Sequence, residues 1–290
     1  MGERPRVSAV VVNYNARDHL LDCVRSLRAD GVDEIVIVDN ASTDGSVEAV
    51  TVLDPDVVLV PTGGNLGFGS AANRGLSVAQ GEYVAVLNPD VVVESGTMKA
   101  LAAALDADSG LGAVAPRVDN PDGTLYPSVR AFPSMVDAIG HAFLGFVAPR
   151  NRFSRRYRML DWDHARPSDV DWASGTCLML RAAALGDQGR FDESYFMYVE
   201  DVDLCWRLRL AGWRVAYEPA GRVVHTVGAS SELAPYRMIL AHHRSLLRFS
   251  ARTASGRRRL LLPLVAAGLA LRTVLAWLQR ASRGRPHAAP

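Results

Sequence analysis

The feature that most constrains this chain is a series of four short, apolar, β-rich runs. Each is closed by a polar cluster and separated from the next by a stretch of helical periodicity. Val7–Val12 shows no polar alternation, the pattern of a strand covered on both faces in a parallel sheet. Leu20, Leu21, Val24 and Leu27 then recur at helical spacing, with Asn15 placed to cap their helix. Glu34–Val38 reads as a second strand, Thr43–Val50 as a short helix and Val57–Val60 as a third strand. Phe68–Ala79 gives the next helix, Tyr83–Leu87 the fourth strand and Ser95–Leu105 a further helix. Such alternation implies right-handed crossovers and a mostly parallel sheet flanked by helices, a nucleotide-binding kind of α/β layer.

The pattern loosens after that. Pro116–Val170 is rich in Pro, Arg and aromatic residues, includes the basic run Asn151–Arg158, and has little periodicity, as a functional loop does. Order resumes with a strand at Thr176–Leu180 and a helix at Val202–Ala211 that turns Leu204, Leu208 and Ala211 inward. A short strand at Arg214–Tyr217 follows, and a final helical region begins near Ala234. Two units are expected: a catalytic body over residues 1–232 and a helical region over 233–290. The segment Arg257–Arg280 is apolar with basic ends. Pro263 and the central Arg272 oppose a membrane-spanning helix, because an Arg at mid-bilayer costs at least ~2.5 kcal/mol. A helix lying in the interface, with Trp277 and the flanking Arg residues at anionic headgroups, fits better. Packing against its own domain, or against a second subunit of a homo-oligomer, is the other reading.

Composition closes some routes. With 290 residues, 49% of them hydrophobic, a core of ordinary size is available. The net charge of +1 is a small difference between interspersed acids and bases, so no global field points to nucleic acid. Cys23, Cys177 and Cys205 lack the spacing of a zinc or redox motif and read as reduced core residues. Met1–Arg6 is short, polar and runs straight into a strand, which suits no signal peptide and sets the expectation of a body at the cytoplasmic face. Lys99 is the only lysine, so a diphosphate has no lysine grip to call on.

Parallel sheets bind ligands beyond the carboxyl ends of their strands, so the residues closing each run carry the interest. They are Asn13-Tyr-Asn15, Asp39-Asn-Ala-Ser-Thr-Asp44, Asn65-Leu-Gly-Phe-Gly69 and Asn88-Pro-Asp90. Each alone also suits a plain turn; their order is the signal. A carboxylate at Asp39, expected at a solvated edge because burying it unpaired is costly, can accept the N3–H of a uracil or thymine ring. Asn88-Pro-Asp90 offers oxygen ligands for a hard divalent cation bridging two phosphates, and His225 could complete its shell or be structural. Glu200-Asp201-Val-Asp203 puts three carboxylates at a helix start, where the dipole favours the ionised form and so a competent base; Asp203 can equally serve helix stability alone.

Together these motifs, with Ala72-Asn73-Arg-Gly75 and Gly175 in Ala-Ser-Gly-Thr, resemble glycosyltransferase family 2 over roughly residues 7 to 230. The resemblance implies an A-type, Rossmann-like nucleotide-sugar transferase fold and inverting transfer from a nucleotide sugar. It implies that Asn13 and Asp39 contact the base, that Asn15, Asn65, Gly67, Asn73 and Asn88 belong to the donor cleft, and that Asp90 and His225 bind Mn2+ or Mg2+. Asp201 becomes the catalytic base, with Trp172, Gly175, Glu200 and Asp203 as acceptor or helix-start support. Where the family often has Asp at the head of its metal motif, this chain has Asn88, which shifts the share of binding to Asp90 and His225. Asn-Pro-Asp, Asn-Leu-Gly-Phe and Glu-Asp-Val-Asp-Leu-Cys-Trp-Arg look most like the rhamnosyltransferase branch, and the Arg-, Ala- and Gly-rich composition like a high-GC bacterium. That branch implies dTDP-rhamnose as donor and a polyprenyl-diphosphate N-acetylglucosamine acceptor in cell-wall linker synthesis.

Three rivals remain. Galactofuranosyl, glucosyl or mannosyl transfer would use the same machinery. Sugar nucleotidyltransferases need a Gly-rich, basic N-terminal loop that Asn13-Tyr-Asn15 lacks. A non-catalytic binding module would have no need of Asp90 and Asp201.

Overall fold

The computed structural model describes residues 6–132, 162–186, 190–226 and 235–282. The basic run at 151–158 and the expected domain boundary at 232/233 lie outside the described residues. The first half alternates as the sequence implies: β1 (Val7–Asn13), α1 (Arg17–Ala29), β2 (Glu34–Asp39), α2 (Ser46–Leu53), β3 (Val58–Pro61), α3 (Phe68–Leu76) and β4 (Tyr83–Leu87). There follow β5 (Val91–Val93), α4 (Thr97–Ala107), β6 (Leu111–Asp119), β7 (Val129–Arg130), β8 (Ser168–Val170), β9 (Trp172–Ala173) and β10 (Cys177–Arg181). The last elements are α5 (Glu200–Leu210), β11 (Arg214–His225), α6 (Pro235–Thr253) and α7 (Leu262–Ser282), the last preceded by a 3-10 segment at Gly256–Leu261.

The main sheet runs β3-β2-β1-β4-β10-β6-β11-β5, with β8 added on β11. Strands β1 to β4 pair in parallel, β10 is antiparallel to both β4 and β6, and β6 and β11 are parallel again. The sheet is therefore mixed beyond β4. Its central strands are buried on both faces, which is why their sequences show no alternation. Ala9, Val11, Ile35 and Ile37 pack under Leu20, Val24 and Leu27 of α1 and Leu101 and Leu105 of α4. Val10, Val36 and Val38 on the other face meet Ala71, Ala72 and Leu76 of α3, and Leu204 and Leu208 of α5 share that layer. Helix α3 lies so close to the sheet that a Cβ at Gly75 would stand 2.3 Å from Val10 Cγ1.

Several expectations are corrected. Asn15 does not cap α1; Ala16 holds that position, and Asn15 adopts φ +50° with its side-chain oxygen accepting the Thr43 amide at 2.7 Å. Asp44 instead receives the Arg17 amide at 2.9 Å, satisfying a donor of the first turn from a neighbouring loop. Ala211 is exposed beyond the end of α5, and Val202 and Cys205 join Leu204 and Leu208 inside. Strand β11 does not stop at Tyr217 but continues to His225 through a register shift between Glu218 and Arg222. Pro263 sits in the first turn of α7, where a missing N–H costs nothing, so it does not count against a spanning helix. All three cysteines are free and buried, as expected.

Candidate active site

Strand register gathers the expected residues at one end of the sheet. Asn13 lies opposite Asp39 at the ends of β1 and β2, Leu87 opposite Cys177 where β4 ends and β10 begins, and His225 opposite Val91 where β11 ends and β5 begins. Asn88-Pro-Asp90 bridges the last two places in a single turn.

The first group lies at the ends of β1 and β2. Asn13 Nδ2 donates to Asp39 Oδ1 at 3.1 Å and to Ser42 Oγ at 3.0 Å, and the Ser42 amide donates to Asp39 Oδ2 at 3.1 Å. Asp39 was expected at a solvated edge; it is nearly buried, and its charge is compensated by an amide side chain and a backbone N–H. Asn13 Oδ1 is buried and has no hydrogen-bond partner, as an acceptor held for a ligand would be.

The second group is Asn88, Asp90 and His225. Asp90 and His225 are 8% and 5% exposed, and His225 Nε2 lies 3.1 Å from Asp90 Oδ1 without the alignment of a hydrogen bond. Asp90 Oδ1 and His225 Nδ1 have no hydrogen-bond partner, and Asn88 Nδ2 reaches His225 Nε2 only at 3.5 Å. Adjacent ligands of an octahedral cation with bonds of about 2.1 Å stand roughly 3.0 Å apart, so the spacing of His225 Nε2 and Asp90 Oδ1 and the orphaned Asp90 Oδ1 fit a divalent ion. Among the described residues no cluster of three or more His, Cys, Asp or Glu side chains suited to a metal occurs. The pair therefore suits a cation whose remaining ligands are phosphate oxygens and water.

The third group surrounds Asp201, which opens α5. Its Oδ2 accepts the Gly175 amide at 3.0 Å and its Oδ1 the Val202 amide at 2.8 Å. Burial raises Asp201 above the usual carboxylate range, against the pull of those two amides and the positive charge of Arg130. The helix terminus was expected to hold this carboxylate firmly ionised; burial outweighs it, and a base with a raised pKa is the better proton acceptor. Burial and the neighbouring Asp201 push Glu200 up to about 8, and its Oε2 has no partner. A Cβ at Gly175 would touch the Phe68 ring at 3.0 Å and Asp201 Cβ at 3.8 Å. The groups are linked: Asn88 N donates to Thr176 O at 3.1 Å, one residue from the Gly175 amide that holds Asp201.

Just before Asp201 the backbone is strained. Tyr198 and Val199 have φ of +66° and +70°, a left-handed pair that costs about 1–2 kcal/mol per residue and is least natural for a β-branched side chain. Such strain persists only where surroundings over-determine it. Gly67, at φ +84°, comes so close that a Cβ there would stand 1.9 Å from Phe196 O, and the Phe68 amide donates to the same carbonyl at 3.1 Å. Asn73 clasps Phe191 with both ends of its amide, at 2.8 and 2.9 Å. Asn65 Oδ1 accepts from Asn40 Nδ2 and Gly67 N. Asn65, Gly67 and Asn73 thus build the frame around the cleft through their own protein partners.

Asp203 is fully buried, receiving Arg207 Nε at 2.7 Å and Tyr195 Oη at 3.3 Å, with Arg252 of α6 3.2 Å away. It ties α5 to α6 through these partners, the simpler of the two roles weighed for it. Trp172 is buried, donates Nε1–H to Ala131 O at 3.2 Å and carries the Arg130 guanidinium 5.2 Å over its ring. Asn40, Ser42, Thr176 and Arg130 were not singled out individually, although Asn40 and Ser42 lie inside the Asp39–Asp44 motif.

A family model described as glycosyl transferase family 2 matches residues 8–186. The N-acetylglucosaminyl-diphospho-decaprenol L-rhamnosyltransferase of Mycobacterium tuberculosis (strain H37Rv) is 39% identical over 264 residues, covering 85% of this chain and 84% of that protein. The rhamnosyltransferase WbbL of Escherichia coli (strain K12) is 24% identical over 254 residues, 85% of this chain and 93% of that one. Among solved structures, the mannosyltransferase of Pyrobaculum calidifontis in complex with GDP-Man and Mn2+ has the same fold, with TM-score 0.60, 20% identity and coverage of 98% and 77%. From the extent of the family match and the 39% identity, the chain belongs to glycosyl transferase family 2.

Proposed function

We propose that this chain is an inverting transferase that moves L-rhamnose from dTDP-rhamnose to a sugar hydroxyl of polyprenyl-diphosphate N-acetylglucosamine, in cell-wall linker synthesis. The observation that carries the reading is the 39% identity, spread over both chains, to an enzyme named for that transfer. In the proposed reaction the acceptor hydroxyl attacks the anomeric carbon from the face opposite the diphosphate. A new C–O bond forms, the bond from that carbon to the diphosphate oxygen breaks, dTDP leaves and the proton passes to Asp201. General-base help of this kind is worth typically 10²–10⁴-fold. Asn13 and Asp39 would hold the thymine ring, with one acceptor of this pair taking its single ring N–H. Asp90 and His225 would hold Mn2+ or Mg2+, which supplies positive charge for the departing diphosphate.

Helix α7 would rest on the cytoplasmic face of the membrane. Gly256–Ala281 is the one segment among the described residues that is long and apolar enough to cross a membrane by length and composition. Its partner argues against crossing. Helix α6 runs beside it through His243–Thr273 and Tyr236–Trp277 contacts, and carries Arg237, Arg244, Arg248 and Arg252. A spanning α7 would draw those arginines toward the hydrocarbon at about 2.5–3.5 kcal/mol each.

Thermal shift with dTDP, UDP and GDP, each with and without Mn2+, tests the donor first. The largest stabilisation is expected from dTDP with Mn2+. Transfer of labelled rhamnose to a synthetic polyprenyl-diphosphate N-acetylglucosamine tests the reaction. Preferred turnover of a UDP- or GDP-sugar overturns the donor assignment.

A further inference from the structure

The membrane-facing tail and the base are not independent parts. Helix α6 touches the segment 192–206 at successive turns. Ser245 Oγ donates to Met197 O at 2.9 Å, the carbonyl immediately before the left-handed pair. His242 packs its ring 5.2 Å from the ring of Tyr198, the first residue of that pair. Arg248 lies over the Tyr195 ring at 5.9 Å, Phe249 meets Trp206 edge-on at 6.3 Å, and Arg252 bridges Asp192 and Asp203. The other side of α6 is bound to α7, where buried His243 Nδ1 lies 2.7 Å from Thr273 Oγ1 and Trp277 Nε1 donates to Tyr236 O at 3.3 Å. One helix therefore spans from the tail to the turn that aims Asp201.

The outer face of α7 is apolar and exposed, with Leu264, Leu271, Val274, Leu275, Trp277 and Leu278 open to solvent. Its charge is one-sided. Eleven of the 32 Lys and Arg residues, and none of the 31 Asp and Glu, lie beyond residue 232. The last 58 residues are thus a purely cationic, apolar segment attached to a body with an excess of acid. An anionic lipid surface is the partner that such a segment fits, because it offers apolar depth and negative headgroups together. A second copy of the chain would bring the same positive charge against itself.

We propose that α6 is a strut through which seating α7 on an anionic bilayer holds the Met197–Val199 turn, with Ser245 as the positioning residue that fixes the direction of Asp201. The proposal rests on the membrane reading above and goes beyond it. A left-handed Tyr-Val pair returns to ordinary backbone unless it is held, and α6 supplies a hydrogen bond and a ring contact at that place. Free in solution, the α6–α7 hairpin has one wetted apolar face and a weaker hold on the turn. On the bilayer that face is covered and the hairpin is fixed.

The test uses the full chain, dTDP-rhamnose and a short water-soluble acceptor analogue that does not itself need a membrane. Rates are compared without vesicles, with phosphatidylcholine vesicles and with vesicles containing phosphatidylglycerol, while cosedimentation measures binding. Phosphatidylglycerol vesicles are expected to raise kcat roughly tenfold with little change in acceptor KM, within the ~10² that a 1 Å misplacement of a catalytic group costs. Ser245→Ala should bind the vesicles as the native chain does and lose most of the stimulation, and Ser245→Thr should restore it. His242→Leu provides a second variant should Ser245→Ala unfold, as judged by circular dichroism. Vesicle binding with unchanged kcat refutes the strut and leaves the membrane reading standing. Absence of binding refutes both. Full stimulation of a folded Ser245→Ala variant removes Ser245 from the role, and binding that appears only as dimer formation assigns the apolar face to a second copy.

Discussion

Replacing Gly67 by Ala puts the framing of the base under a test whose size can be worked out. Gly63 and Gly67 both sit at positive φ, +76° and +84°, but Gly67 also has ψ 177°, a conformation open essentially to glycine alone, so an added methyl costs about 1–2 kcal/mol at Gly63 and about 1–3 kcal/mol at Gly67 from the backbone itself. They differ in surroundings. A Cβ at Gly63 has nothing within 4 Å, whereas one at Gly67 would lie 1.9 Å from Phe196 O and 2.7 Å from its carbonyl carbon. Backbone cannot rotate out of the way as a side chain can, so an overpacking cost of roughly 1–3 kcal/mol is added. Moving Phe196 also breaks the Phe68 N–H to Phe196 O bond, about 1 kcal/mol more. Gly67→Ala should therefore cost about 3–7 kcal/mol against about 1–2 for Gly63→Ala, read as the shift in urea midpoint at constant m-value. The displaced carbonyl lies five residues before Asp201, so kcat at a temperature where both variants are folded should fall by at least ~10-fold in Gly67→Ala alone. Equal stability losses for the two variants, or native kcat in Gly67→Ala, would show that the close approach of these segments does not frame the base.

Further outcomes follow from the same geometry. Asp201→Asn should lower kcat by at least ~10² while dTDP affinity measured by calorimetry stays within about twofold; near-native turnover removes Asp201 as base. Glu200 is an acid whose pKa is raised in the folded chain, so the folded state binds the extra proton between the ordinary value near 4.5 and about 8. Stability should fall as pH rises through that window, by at most about 1.4 kcal/mol per pH unit for one proton, and Glu200→Gln should flatten the slope in denaturation curves from pH 5 to 9. Chelation should abolish transfer and added Mn2+ restore it, with Asp90→Ala and His225→Ala each raising the Mn2+ concentration needed for half-activity by roughly 10-fold or more. Asp203→Ala leaves Arg207 and part of Arg252 without their buried partner and should cost about 3–5 kcal/mol in chemical denaturation. Truncation after Ser255 should depress activity on a lipid-linked acceptor more than on a short soluble analogue; equal losses would make the tail a packing element.

Much of the first half was legible because β1 to β4 are uninterrupted apolar runs separated by clear helical periods, with Asn13 and Asp39 closing β1 and β2, Asn88 directly after β4 and Asn65 in the loop after β3. Beyond β4 the signals weaken for identifiable reasons. Strand β6 carries Gly112 and Pro116 inside its run, β11 carries Pro219 and Gly221, and β5 is three residues long, directly after the Asn-Pro-Asp turn. Glycine and proline inside a strand read as punctuation when only the sequence is available. The site divides in a similar way. Asp90, His225 and Asp201 belong to motifs whose chemistry is written in their residue types. Whether an asparagine such as Asn73 faces a ligand or a backbone segment 118 residues away is decided by tertiary contact, and nothing near it in sequence records the choice. Ser245 is one polar residue on an ordinary helix; only its neighbour Met197 gives it meaning.

The place of β10 in the sheet bears on how the molecule is made. It fills the slot between β4 and β6, yet it is synthesised some ninety residues after β4 has left the ribosome. Until residues 177–181 arrive, the outer edges of β4 and β6 lack the neighbour that their hydrogen bonds require. An N-terminal fragment ending before Cys177 should be sticky and poorly soluble, and the cleft should assemble late, once β10 has joined β4 to β6 and β11 has then joined β6 to β5.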